Sequence, residues 1–228
     1  MNSRQQNLLA EVVRSYIKKA EPVSSKDLEH KLGVSSATIR NEMAELEELG
    51  YLWQPHTSAG RQPTLKAYSY YVANVMSPLS PKTAEQKALY QVVEEYHLEP
   101  SLMMRWLGKQ LAKFSGQAAV IGFTPQDVYY TGLANLFDQP EFNKLDMVRA
   151  ISSAIDQLDE SMKQLYQTAT DQVMVKIGED NPFGRDCAVI CVSYNLKDLH
   201  YLFGLLGPLR MDYDLNVGRL EYVKRFFN

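Results

Sequence analysis

Cysteine is nearly absent from this 228-residue chain: Cys187 and Cys191 are its only two. On one extended strand they would sit on the same face about 13 Å apart, at about 3.3 Å per residue. A disulfide cannot close that gap. A metal site would want His or acidic neighbours, and His200 is the one nearby candidate, so the pair reads as two buried thiols in a reducing compartment, without a metal. Long apolar runs are missing too, since none approaches the ~18–20 residues that cross a bilayer. The opening MNSRQQNLLAEVV has no signal-peptide hydrophobic block. A membrane protein is thereby excluded and a cytoplasmic address expected. No glycine-rich phosphate loop follows a strand, and no paired-carboxylate signature recurs. His30, His56, His97 and His200 sit beside no nucleophile pattern. The sequence thus offers no catalytic residue and no cofactor site, and it does not read as an enzyme.

Excess positive charge is also lacking. Lys and Arg number 24 against 27 Asp and Glu, a net charge of −3. Residues 1–75 are only slightly basic, with nine Lys/Arg and eight Asp/Glu. Any affinity for a polyanion must therefore rest on local placement rather than bulk charge.

What is present is an ordinary globular composition, 45% hydrophobic and 22% charged. A helix-rich first segment ends near Val75, and the Pro- and Ser-containing stretch Ser77–Lys82 reads as a linker. Two helical patterns follow, about 83–97 and 101–114. In the second, Leu102, Met103, Trp106, Leu107 and Leu111 form an apolar stripe fit for a core or for a partner. Short apolar runs at 118–123, 127–132, 172–178, 187–194 and 199–207 predict strands. A helical segment over 141–168 and a closing helix over 212–227 complete an α+β layout: a small helical head on a mixed body.

The head repays a closer reading. Leu8/Leu9, Val12/Val13 and Tyr16/Ile17 mark one wide apolar face on helix one, which must stop before Pro22. Ser24 with Asp27 signals a cap for helix two, and Gly33 breaks it. Ser35 or Ser36 caps helix three. Helix, short helix, Gly-containing turn, helix is the helix-turn-helix order. In helix three, Ile39, Met43, Leu46 and Leu49 share a core-facing side. The opposite side carries Ala37, Asn41 and Ala44, flanked by Thr38 and Arg40. Small residues there allow close approach to a groove floor, Arg40 can fork onto guanine and Asn41 can pair with adenine. Glu45 and Glu48 lie farther along, where phosphates repel them, so the helix would enter the major groove by its first turns. An exposed charged helix without a partner would show the same pattern. Gly50-Tyr51-Leu52-Trp53 then gives a helix stop and a short strand. The polar loop from Gln54 to Thr64 fits a hairpin wing, with His56 and Arg61 at its tip and the amides of Thr57, Ser58 and Gly60 suited to phosphate oxygens. A plain surface hairpin remains the alternative. Helix four resumes over 65–75, with Tyr68, Tyr71, Val72 and Val75 inward. The candidate double-stranded DNA contacts are therefore Ser35, Ser36, Ala37, Thr38, Arg40, Asn41, His56, Thr57, Ser58 and Arg61.

The run PVSSKDLEHKLGVSSATIRNEMAELEELGYLWQPHTSAGRQPT resembles the N-terminal signature of the HrcA family of heat-inducible transcription repressors. Three positions depart from that pattern: Ser24 and Ala67 replace usual glycines, and Gln62 a branched apolar residue. The blocks at 129–142, 175–181 and 204–223 resemble the family's C-terminal part, with Leu209 for threonine and Asp180 for glutamate. Between Phe123 and Val128 much of the family's GAF-like centre and its inserted dimerisation domain is missing. The resemblance implies a winged helix-turn-helix at 1–76, a linker at 77–82 and a reduced GAF-like α/β body at 83–228. It also implies a homodimer on the CIRCE inverted repeat near groE- and dnaK-type operons, whose repression the GroE chaperonin helps maintain. With the insert missing, pairing would fall to the 101–114 stripe or the C-terminal sheet. Gly207-Pro208, Asp212 and Arg210 read as structural: a turn, a helix cap and a local pair. Two other classes compete: a ligand-sensing regulator, and a chaperonin-binding scaffold without operator affinity.

Overall fold

In the computed structural model, which describes residues 1–143, 145–196 and 199–227, contacts divide the chain into two units, Met1–Met76 and Ser77–Asn228. The first holds α1 (Ser3–Lys19), α2 (Ser25–Leu32), α3 (Ser36–Glu48), β1 (Leu52–Trp53), β2 (Gln62–Pro63) and α4 (Leu65–Asn74). Asn2 and Gln5 cap the start of α1 reciprocally, satisfying two backbone donors that the first turn would leave unpaired. The helix ends one residue before Glu21-Pro22, at Ala20 in the left-handed conformation with φ 56. Ser24 and Asp27 form the capping box of α2. Hydrogen bonds from the Ser24 hydroxyl and amide hold the Asp27 carboxyl below its ordinary pKa. Gly33 closes the helix at φ 67.

Leu8, Leu9, Val12, Val13, Leu28, Ile39, Met43, Leu46, Tyr68 and Tyr71 are buried together in this unit. Burying each aliphatic side chain among them stabilises the unit by about 1.5–3 kcal/mol relative to exposure. Leu49 departs from the helical pattern. It lies at the C-cap of α3 and is 46% exposed; its amide still bonds the Glu45 carbonyl, and the chain turns away at the next residue, Gly50, at φ 76.

The second unit contains α5 (Thr83–Tyr96), α6 (Pro100–Ser115), β3 (Ala118–Gly122), β4 (Val128–Thr131), α7 (Leu133–Phe137), α8 (Leu145–Asp156), α9 (Leu158–Thr168), β5 (Met174–Ile177), β6 (Cys187–Leu196), β7 (Leu199–Pro208) and α10 (Tyr213–Lys224). The strands form one antiparallel sheet in the order β4-β3-β7-β6-β5. Period-two alternation sends Cys187, Val189 and Cys191 to one face, where they meet Leu136, Phe142, Met162 and Leu165. The other face receives α6: a Cβ on Gly108 would stand 2.5 Å from Ile121 Cδ1, and the Tyr194 hydroxyl donates to Met104 Sδ at 3.3 Å. Met103, Leu107 and Leu111 of the apolar stripe are buried; Leu102 and Trp106 are half-buried, with Trp106 stacked on Tyr96. The continuous helix expected over 141–168 is instead a 3-10 turn at Pro140–Asn143 followed by α8 and α9, which part at Gln157.

Two local expectations change. The 77–82 stretch is tied down rather than loose: the Ser77 amide donates to Asp214 Oδ1 at 2.7 Å and the Leu79 amide to the Asp214 carbonyl at 2.9 Å. Gly218 allows this approach, since a Cβ there would come within 1.9 Å of the Leu79 carbonyl oxygen. Arg210 reaches far along the chain. It binds Glu141 and Gln139, about seventy residues earlier, while Asp212 caps α10 by accepting from the Leu215 amide. Among the described residues no helix is long and apolar enough to cross a membrane.

Candidate nucleic-acid interface

The candidate surface is made by fixing one side of α3 and leaving the other bare. Ser35 caps the helix by accepting from the Thr38 amide, and its hydroxyl also meets that of Thr38 at 3.0 Å. Ser36 turns inward: its hydroxyl lies 2.9 Å from that of Ser25 and its amide donates to Glu29 Oε1 at 2.7 Å. These bonds set the angle between α2 and α3. On the inner side Ile39, Met43 and Leu46 are buried. Glu42 is buried beside them and ion-paired with Arg4, and Gln5 donates to Glu45 Oε2 at 2.7 Å. A carboxylate in that position survives because α1 supplies its counter-charge.

On the outer side Ala37, Arg40 and Asn41 are exposed and Thr38 is half-buried. The side chains of Arg40 and Asn41 make no hydrogen bond or ion pair with any described residue. Their donors are unengaged, as groups that read base edges must be. Ser35 stands exposed at the same end, whereas Ser36 supports the fold from behind.

The wing is a three-part strand arrangement. β1 and β2 pair as Leu52↔Pro63 and Trp53↔Gln62, and Val23 and Arg61 exchange two backbone hydrogen bonds of 2.9 Å, adding a third strand position. Gly60 is required at this crossing, since a Cβ would meet the Val23 carbonyl carbon and oxygen at 2.4 Å. The loop tip carries His56, Thr57 and Ser58, all exposed, with a turn closed by the Ala59 amide on the His56 carbonyl.

Arg61, expected at that tip, lies elsewhere. It sits at the base of the wing, its side chain only 13% exposed, with Nε and Nη2 each 3.0 Å from Glu47 Oε2. Its strand position beside Val23 points the guanidinium back to α3, where the carboxylate holds it. The other Glu47 oxygen accepts from the Gln54 amide at 3.0 Å, and the Gln54 carboxamide donates to the carbonyls of Thr57 and Ala59. Glu47 and Gln54 therefore determine where the wing stands relative to the recognition helix. Sequence reading passed over both, because nothing in their spacing distinguishes them from solvated polar residues.

Between the wing and the facing ends of α2 and α3 lies an open cleft of about 480 Å³. Lys26 and Arg40 line it on one side and Thr57 and Ser58 on the other.

In the body, the two thiols are buried and unpaired with each other, and burial pushes Cys187 up to about 12 and Cys191 up to about 11. They are packing groups.

Comparison with known proteins agrees with this geometry. The family model described as "Winged helix-turn-helix transcription repressor, HrcA DNA-binding" matches residues 1–76, and that described as "HrcA protein C terminal domain" matches residues 58–217. The heat-inducible transcription repressor HrcA of Desulforudis audaxviator is 40% identical, over 99% of this chain and 96% of the relative. That of Moorella thermoacetica is 30% identical, over 98% and 96%. The first alignment runs over 331 positions against a chain of 228, so at least 103 of them face a gap in this chain. A solved structure described only as a hypothetical protein shares the fold, with a TM-score of 0.71 and 21% identity, covering 100% of this chain and 96% of that one.

Proposed function

This chain belongs to the HrcA family of heat-inducible transcription repressors, and from that premise we propose that it silences chaperone operons by binding, as a homodimer, an inverted-repeat operator of the CIRCE type. The observation that carries the reading is the bare first half of α3, with Ala37, Arg40 and Asn41 exposed and unengaged while the opposite side of the same helix is fully held. Such a face enters the major groove by its N-terminal turns. Arg40 reads a guanine edge, Asn41 an adenine edge, and Ser35 and Thr38 flank them; His56, Thr57 and Ser58 of the wing take the backbone.

One head reads too few base pairs to pick a site from a genome, so two must act together, about 34–36 Å apart on a two-fold axis. The GroE chaperonin is the partner that keeps the repressor folded; heat diverts it, and the operons are released. The chain carries out no chemical step in this scheme.

The test is a gel-shift with a duplex from a chaperone-operon promoter containing the inverted repeat, beside a duplex with one arm scrambled, together with the sedimentation mass of the complex. Two chains per intact duplex, and loss of binding when one arm is scrambled, support the proposal. Equal affinity for both duplexes sinks it.

A further inference from the structure

The first unit has nine Lys and Arg residues, and most are neutralised at home. Arg4 is paired with Glu42, Arg14 and Lys31 with Glu11, Lys19 with Asp27 and Arg61 with Glu47. The Lys66 ammonium sits on the Leu49 carbonyl at 2.7 Å and over the Tyr51 ring. Among the described residues, Lys18, Lys26, Arg40 and Lys66 are left without an acidic partner. Two of these four, Lys26 and Arg40, line one cleft, the one between wing and α3, and no Asp or Glu lines it with them. A nearly neutral domain thus sets two uncompensated cations together in one cleft.

We propose that Lys26 anchors the sugar–phosphate backbone of one DNA strand in this cleft, opposite the hydroxyls of Thr57 and Ser58. The inference rests on the DNA-binding reading above and adds to it the path of the strand. Arg40 extends a planar fork suited to a base edge, whereas an ammonium is a compact point charge suited to a phosphate that carries no sequence information. On the same wall Arg40 reads and Lys26 holds. Lys26 is then the residue that sets how far along the groove Arg40 reaches.

The experiment measures affinity over a salt series for the full-length chain on two probes: a duplex selected by the wild-type protein from a random library, and a mixed-sequence duplex. Lys26→Gln is compared with Lys18→Gln, which removes the same charge from α1. Losing one phosphate contact lowers the slope of log affinity against log salt by about 0.9, which makes the change in affinity between about 50 and 200 mM salt some three- to fourfold smaller. The expected result is that loss for Lys26→Gln, equal on both duplexes, restored by Lys26→Arg and absent from Lys18→Gln. An unchanged slope with intact wild-type binding overturns the role of Lys26 and leaves the repressor reading standing. Equal losses in Lys18→Gln and Lys26→Gln overturn it too, since bulk charge would explain both. Failure of the wild type to bind either duplex removes both proposals.

Discussion

The guanidinium of Arg61 is held against Glu47, with two 3.0 Å contacts to a single carboxylate oxygen, and so the wing is fastened to the helix it flanks. The pair is partly exposed and adds at most about 1 kcal/mol to stability. Its consequence is positional. Arg61→Ala should weaken operator binding while leaving the salt slope at its wild-type value, because no phosphate contact is lost. Glu47→Gln should behave in the same way, with the Gln54 amide still satisfied. A slope reduced by about one unit in Arg61→Ala would place the side chain on a phosphate instead.

In the proposed operator complex Arg40 and Asn41 carry sequence discrimination. Arg40→Ala should reduce the preference for the selected duplex over a mixed-sequence one by about 1–3 kcal/mol, the worth of one bidentate base contact. Competition binding at fixed salt measures it directly. Equal losses on both duplexes would assign Arg40 to the backbone.

Gly60 is where the wing crosses Val23. Gly60→Ala would drive a methyl group into the Val23 carbonyl, with backbone on both sides and no flexible side chain to give way. A stability loss of about 1–3 kcal/mol is expected, of the size found for overpacking. Urea denaturation of the full chain checks this; an unchanged midpoint would show that the crossing is loose.

Cys187 and Cys191 should resist alkylation in the native protein near neutral pH and react fully once it is unfolded. Their folded pKa values are raised from the ordinary 9.0 to about 12 and about 11. The unfolded chain therefore gives up these protons first. The stability linked to them is fully present below pH 9 and is lost as pH rises toward 11 and beyond. Unfolding midpoints measured across that window check the sign. Rapid alkylation of the native protein at pH 8 would contradict the burial.

Much of this architecture was legible in the sequence, for local reasons. Capping residues such as Ser24 and Ser35, the stop at Gly33, and the four-residue spacing of Ile39 and Met43 act within one turn of chain, so they declare the helices they build. The sheet strands declare themselves through alternation, as Cys187, Val189 and Cys191 show. What escaped were pairings between distant residues. Nothing near Arg210 announces Glu141, and nothing near Asp214 announces that residues 77–79 will lie on it. Arg61 and Glu47 fall in the same class: each has the composition of a solvated residue, and only the folded hairpin brings them together. The exposure of Leu49 escaped for a local reason: it keeps the helical spacing but stands at the C-cap, just before the chain turns away at Gly50.

The central claim is that the first turns of α3 lie in the major groove, and methylation interference at guanine N7 tests it most directly. With wild-type protein, methylating specific guanines in each arm of the selected duplex should block binding, and in Arg40→Ala interference should vanish at one guanine per arm while persisting at the others. Binding that tolerates N7 methylation throughout, or a pattern that Arg40→Ala leaves unaltered, would contradict the account.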